Sequence, residues 1–256
     1  MRSHEERWND APGELGGRIA IVTGAARGIG AATAELLTCS GATVILSDID
    51  EPALSQVAKS LARAEAYPCD VSRPAAVEDM VRHVEEAHGR LDILVNNAGI
   101  CPRIPLEEMT EDSFDRLVDI NMKSVFFLTR AAARVMKRNG FGRVVNVSSV
   151  GGRIGGVVHA TVYSATKGAV LAMTRSMARE YAPEGILVNA VAPGAVNTRM
   201  FTDIGDEAVD AYVKNVPLRR LAEPMEVARG ILDLCRPTTT WITGATIDIN
   251  GGVLMM

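Results

Sequence analysis

Tyr163 and Lys167 stand four residues apart in the run Tyr163-Ser164-Ala165-Thr166-Lys167, inside a segment, Thr161 to Tyr181, that reads as a helix. Residues i and i+4 lie on one helical face, one turn apart, so the phenol and the ammonium can point into one site. A cation close to a phenol favours the phenolate and lowers its pKa from about 10. A phenol tuned in this way can pass a proton near neutral pH. The same spacing also fits a helix face whose long side chains snorkel to water. Other residues must therefore point to the same place.

Several do. A short apolar run, Ile19 to Thr23, leads into Thr23-Gly24-Ala25-Ala26-Arg27-Gly28-Ile29-Gly30 and then into a helix carrying Ile29, Ala32, Leu36 and Leu37 on one face. Glycines at 24, 28 and 30 suit a tight turn, and the helix start supplies free N–H groups and partial positive charge for a pyrophosphate. The spacing is GxxxGxG, not GxGxxG, but it sits between strand and helix as such a motif requires. Asp48 ends the next strand, where a dinucleotide fold places a carboxylate against the adenosine ribose. Asn96-Asn97-Ala98-Gly99, Ser148-Ser149 and Pro193-Gly194 close three further strands. Ligands of a doubly wound sheet sit beyond those strand ends.

The elements that must position these residues alternate along the chain. Strands are expected at 19–23, 43–48, 65–69, 91–95, 142–148, 186–192 and 245–249. Helices are expected after the glycine loop, from Asp50-Pro52, from Ser72-Pro74, over 110–137, over 161–181 and over about 224–235, with a mixed stretch from 194 to 216. Strands joined by helices imply right-handed crossovers and a parallel sheet covered on both faces. The expected fold is therefore α/β: a single-domain, doubly wound parallel sheet of about seven strands.

Composition narrows the function. The chain has 256 residues, 47% hydrophobic and 23% charged, enough for a large core. A net charge of −4 with no long basic run points away from nucleic acid. No apolar run has membrane length. The polar start, residues 1–16, reads as a flexible extension before one domain at 17–256. Cys39, Cys69, Cys101 and Cys235 are scattered, which fits free thiols in a reducing cytoplasm. Cys101 reads as a small hydrophobe. His83, His88 and His159 lack ligand spacing, so no metal is expected.

Taken together, TGAARGIG, Asp48, Asp70-Val71, NNAG, Asn121, the Ser149 region, YSATK and PGAVNT, in that order, resemble the short-chain dehydrogenase/reductases over nearly the whole chain. The resemblance implies a Rossmann-like fold, a cytoplasmic homotetramer and direct hydride transfer between a nicotinamide and a small-molecule alcohol or carbonyl. It makes Tyr163 the general acid or base and Lys167 the residue that holds the nicotinamide ribose. Ser149 would bond the reacting oxygen, and Asn121 would hold a helix kink and a proton-relaying water. It places Gly24, Arg27, Gly28, Ile29, Gly30, Asp48, Asp70, Val71, Asn97, Gly99, Pro193, Gly194, Val196 and Thr198 along the cofactor. Ser149 lies 14 residues before Tyr163, one more than the commonest family spacing, so Ser148 stays as the alternative.

Asp48 argues for NAD over NADP, because a carboxylate repels a 2′-phosphate; Arg27 argues the other way. Arg103, Arg153, His159 and Arg199 flank the expected pocket mouth and suggest a small polar, anionic hydroxy substrate. The alternatives are a neutral ketone, polyol or 3-oxoacyl substrate, or an inactive NAD-binding regulatory protein on the same fold.

Overall fold

A computed structural model describes residues 13–156 and 158–256. The chain runs β1 (Ile19–Thr23), α1 (Gly28–Cys39), β2 (Thr43–Asp48), α2 (Glu51–Ser60), β3 (Ala64–Pro68), α3 (Pro74–His88) and β4 (Ile93–Asn96). Next come α4 (Glu111–Val118), a π turn (Asp119–Lys123), α5 (Ser124–Asn139), β5 (Gly142–Val147), α6 (Gly151–Ile154) and α7 (Thr161–Tyr181). The chain ends with β6 (Ile186–Pro193), α8 (Arg199–Thr202), α9 (Asp206–Val213), α10 (Pro224–Cys235) and β7 (Thr246–Ile249).

All seven strands pair in parallel, in the order β3-β2-β1-β4-β5-β6-β7. Side chains alternate across each strand. On one face Ala20, Val22, Val44 and Leu46 pack with Leu37 of α1 and Ile231 of α10. On the other, Ile21 and Ile45 pack with Met80 of α3, Leu128 of α5 and Met177 of α7. Every residue of β1 is buried, which is why its sequence is continuously apolar and not alternating.

Local chemistry sets the helix ends. Asp50 accepts a hydrogen bond from the Ala53 amide at the start of α2, with Pro52 in the first turn. Gly89 closes α3 in the left-handed region at φ 71°. Because the strands are parallel, their carboxyl ends share one edge. Succession reverses between β1 and β4, which opens a crevice there.

Two expectations change. The expected long helix over 110–137 is interrupted by the π turn, whose extra residue turns Asn121 inward. The described part of the expected N-terminal extension is docked. Leu15 is fully buried, and its N–H bonds the Ser40 carbonyl at 2.8 Å. Glu14 pairs with Arg236 at 3.3 Å. Residues 1–12 lie outside the described residues.

Candidate active site

The glycine loop is shaped by its own packing. Gly24 has φ +65°, and a Cβ there would come within 2.9 Å of Ala98 Cα. A Cβ on Gly30 would overlap the Gly24 carbonyl. The Asn97 amide donates to the Thr23 and Gly24 carbonyls at 2.9 and 3.0 Å, and Thr23 Oγ1 accepts from the Asn97 and Ala98 amides at 3.1 Å each. Asn97 therefore clasps the loop instead of reaching into the crevice. Thr23 shares this work; only its place at the end of β1 hinted at it. No side chain caps α1. Its N–H groups, Ile29 included, open onto a glycine cradle, which fits the pyrophosphate of a dinucleotide.

Around this cradle, Asp70 Oδ1 accepts from the Ser72 amide and hydroxyl at 3.0 and 2.7 Å, with Val71 buried beside it. Pro193 ends β6, and Gly194 abuts Asn250 so closely that a Cβ would lie 3.0 Å from its Cα. Val196 bridges to Ala222, and Thr198 starts α8 against Gly28, 3.2 Å from where a Cβ would stand. Asp48 does not project freely. Its Oδ2 accepts from the Ala26 amide at 3.1 Å and its Oδ1 from the Asp50 amide at 3.0 Å. The Arg27 guanidinium is paired with Asp50. The Ala53 amide first, then Arg27, holds the Asp50 carboxyl below its usual range, and Arg199 adds to the pull.

The predicted chemical residues converge at the neighbouring strand ends. Tyr163 and Lys167 share the α7 face turned towards β5, and Lys167 is only 4% exposed. The Lys167 ammonium donates to the Val147 carbonyl at 2.7 Å and lies 5.8 Å from the Tyr163 ring centre. Ser149 stands close enough to the Tyr163 phenol to draw its pKa down. Ser148 instead donates to the Lys167 carbonyl at 2.8 Å and faces the helix backbone, so the serine at the phenol is Ser149. Asn121 is fully buried, bonded to Ile100 through both carbonyl and amide at 2.9 Å. Gly99 lies between Asn121 and Lys167, 3.2 and 3.4 Å from the position of a Cβ.

The electrostatics differ from the sequence expectation. Burial pushes the Tyr163 phenol up to about 12, Cys101 adds to the rise, and Ser149 and Arg103 pull it back. Burial also pulls the Lys167 ammonium down to about 8. The lysine does not bring the phenol below its ordinary value, because desolvation outweighs a cation held to a backbone carbonyl.

At Gly99, where a Cβ would stand 3.4 Å from Lys167 Nζ, opens a cavity of about 610 Å³, walled by Ile100, Cys101, Ile104, Met200 and Ile204, with Arg103, Ser113, Arg116 and Asp203 as its polar residues. The loop after Gly99, which carries Cys101, was expected there; Arg116 was not, because α4 meets that loop only in three dimensions. The four expected substrate residues do not converge. Arg103 lines the cavity and donates to the Val158 carbonyl at 3.0 Å. His159 is exposed in the left-handed region, φ 42°. Arg153 pairs with Asp248 at 2.8 Å. Arg199 faces the Asp50 side of the crevice. No group of metal-ligating side chains occurs among the described residues.

A nucleotide cradle joined to a Tyr–Lys–Ser cluster, its lysine buried and its tyrosine and serine half-buried, at one sheet edge is the arrangement of a hydride-transferring oxidoreductase. The chain belongs to the short-chain dehydrogenase/reductase family. Residues 24–254 match the family model described as enoyl-(acyl carrier protein) reductase. The 3-oxoacyl-(acyl-carrier-protein) reductase FabG of Vibrio harveyi is 38% identical over 243 residues, covering 94% of this chain and 99% of that protein. Oxidoreductase UcpA of Escherichia coli O157:H7 is 38% identical over 252 residues, 94% of this chain and 95% of that protein. The crystal structure of a Brucella melitensis short-chain dehydrogenase/reductase, titled glucose/ribitol dehydrogenase, superimposes with a TM-score of 0.89 at 36% identity, covering 96% of this chain and all of that one.

The expected preference for NAD is corrected by these relatives: the 3-oxoacyl-(acyl-carrier-protein) reductases at 36–39% identity are NADPH-dependent. Both Asp48 oxygens are engaged by loop amides, and the Arg27 guanidinium is paired with Asp50.

Proposed function

We propose that the protein reduces the ketone of a 3-oxoacyl substrate with NADPH, with Tyr163 as proton donor. The observation that carries this is the placing of Tyr163 near Ser149 and one helical turn from the buried Lys167, with a partly apolar cavity opening at the neighbouring loop after Gly99. When bound, the nicotinamide supplies a hydride to the carbonyl carbon. Ser149 hydrogen-bonds the carbonyl oxygen, and Tyr163 gives that oxygen its proton as negative charge develops. A phenol pushed up to about 12 is neutral at physiological pH and so stands in its donating form. Lys167 stabilises the phenolate left behind, and Asn121 holds the π turn against the loop that carries Ile100. The product is a secondary alcohol.

The names of the FabG relatives support the acyl substrate, and the apolar part of the cavity wall suits it better than three arginines and a histidine that do not converge. Arg27 is the residue proposed to meet the 2′-phosphate, releasing Asp50 to do so. One dinucleotide-binding and catalytic domain over 17–256, assembled as a cytoplasmic homotetramer, belongs to the same reading and rests on family resemblance. No helix among the described residues is long and apolar enough to cross a membrane. Mass by light scattering checks the assembly: four chains are expected, and a monomer would contradict it.

The test of substrate class is loss of reduced-nicotinamide absorbance with acetoacetyl thioester, a simple ketone and oxidised polyols, each with NADPH and NADH. The expected result is a kcat/KM for the thioester at least about tenfold above the others. Equal or better turnover of an oxidised polyol would overturn the acyl assignment.

A further inference from the structure

We infer that the ion pair between Arg153 and Asp248 holds Ser149 at the phenol, which makes Arg153 a positioning residue for the reaction and not a substrate ligand. This rests on the role proposed for Ser149 above.

The segment that carries Ser149 has little to hold itself. Helix α6 is four residues long, has no side-chain cap, and ends at Gly155 with φ +88°. So short a helix is not stable alone. Its outer residue, Ile154, is 55% exposed and adds little packing. On the inner side, Val150 is buried and its amide bonds the Pro193 carbonyl at 2.8 Å. Gly152 lies flush on α7: a Cβ there would stand 2.7 Å from the Lys167 carbonyl carbon. That contact seats the inner side of the segment on α7 and leaves its outer side to other partners.

Arg153 does so. Its Nε lies 2.8 Å from Asp248 Oδ1, with side chains 15% and 25% exposed. Asp248 sits on β7 opposite Ala192 of β6, one residue before the Pro193 that receives the Val150 amide. A shielded pair is screened less than a surface pair and fails badly when one partner is removed. Arg153 thus ties α6 to the sheet, while the Gly151 amide donates to Ser149 Oγ at 3.0 Å and orients the hydroxyl. The segment meets the cofactor-side residues Lys167 and Pro193 only through their backbone, so loosening it should touch the proton-transfer step far more than cofactor binding.

The experiment compares wild type with Arg153→Met, Arg153→Lys, Asp248→Asn and the charge swap Arg153→Asp with Asp248→Arg. Amide exchange over 149–155 is measured alongside steady-state kinetics and NADPH affinity. Arg153→Met and Asp248→Asn are expected to speed exchange in that segment and to lower kcat by about ten- to a hundredfold, with NADPH affinity within about twofold of wild type. Arg153→Lys and the swap should recover most of both. If Arg153→Met does not fold, Asp248→Asn and the swap decide the matter. Wild-type exchange protection in the variants that lack the pair would overturn the proposal. A fall in kcat with exchange unchanged would also overturn it and return Arg153 to the substrate. If the wild type reduces no carbonyl, the functional reading fails, and the exchange data still decide whether the pair fixes the segment.

Discussion

Tyr163 owes its proposed acid role to burial more than to its lysine neighbour. Its folded pKa, about 12, lies above the ordinary tyrosine value of 10.0. The unfolded chain loses that proton first, so the stability the neutral phenol lends is full below about pH 10 and is lost as pH rises towards 12. Lys167 has the opposite sign. Its folded pKa of about 8 lies below the ordinary 10.5, so its charge opposes folding below pH 8, and the penalty fades as pH rises to 10.5. Lys167→Met should therefore stabilise the fold at pH 7 by roughly 1–2 kcal/mol, allowing for the Val147 carbonyl it leaves unpaired. The gain should vanish by pH 10.5, and activity should fall throughout. Thermal unfolding across this pH range checks it; destabilisation at pH 7 would contradict the account. At the other end of the crevice, Arg27→Ala should raise the KM for NADPH about tenfold and change that for NADH little. Equal effects on the two cofactors would remove Arg27 from the phosphate. Sequence spacing alone could set Tyr163 beside Lys167, because one helix carries both. It could not show that Asp48 is engaged by the Ala26 amide, or that Arg153 meets Asp248, because those contacts depend on how separate segments pack.

The elements were legible where one physical rule dominates. Helix α7 runs from Thr161 to Tyr181 and α10 from Pro224 to Cys235, as expected, because amphipathic periods and a proline start leave little choice. The π turn at Asp119–Lys123 was hidden from periodicity, since the apolar residues of α4 and α5 read as one helix through it, and only the family resemblance expected a kink at Asn121. Its cause is non-local: Asn121 finds both hydrogen bonds on Ile100, across the loop after β4. The glycine loop shows the same split. Its glycines were visible, but the reason for Gly30 is contact with Gly24 backbone, not a special backbone angle. Gly30→Ala should destabilise by about 1–3 kcal/mol and weaken cofactor binding. Gly89→Ala, with open space but φ +71°, should cost about 1 kcal/mol and leave the cofactor untouched. Urea unfolding with NADPH titration separates them, and equal cofactor affinity in both variants would contradict the structural reason given for Gly30.

Seen as a whole, the molecule brings distant residues together because every strand is parallel. The ends of β1, β2, β4, β5 and β6 share one edge, so residues from Gly24 to Thr198 meet around a single crevice. The fold was readable from that rule, and the loop after Gly99 and the segment from Arg199, expected to face the substrate, do wall the cavity. The cofactor preference and the role of single arginines were not, since they depend on how separate segments pack. The central claim is that a half-buried phenol at this edge donates the proton in carbonyl reduction. It is tested most directly by Tyr163→Phe, measuring NADPH consumption with the best ketone and NADPH affinity on the same sample. The account predicts a loss in kcat of about a hundredfold or more with affinity nearly unchanged. Near-normal turnover in Tyr163→Phe would contradict it.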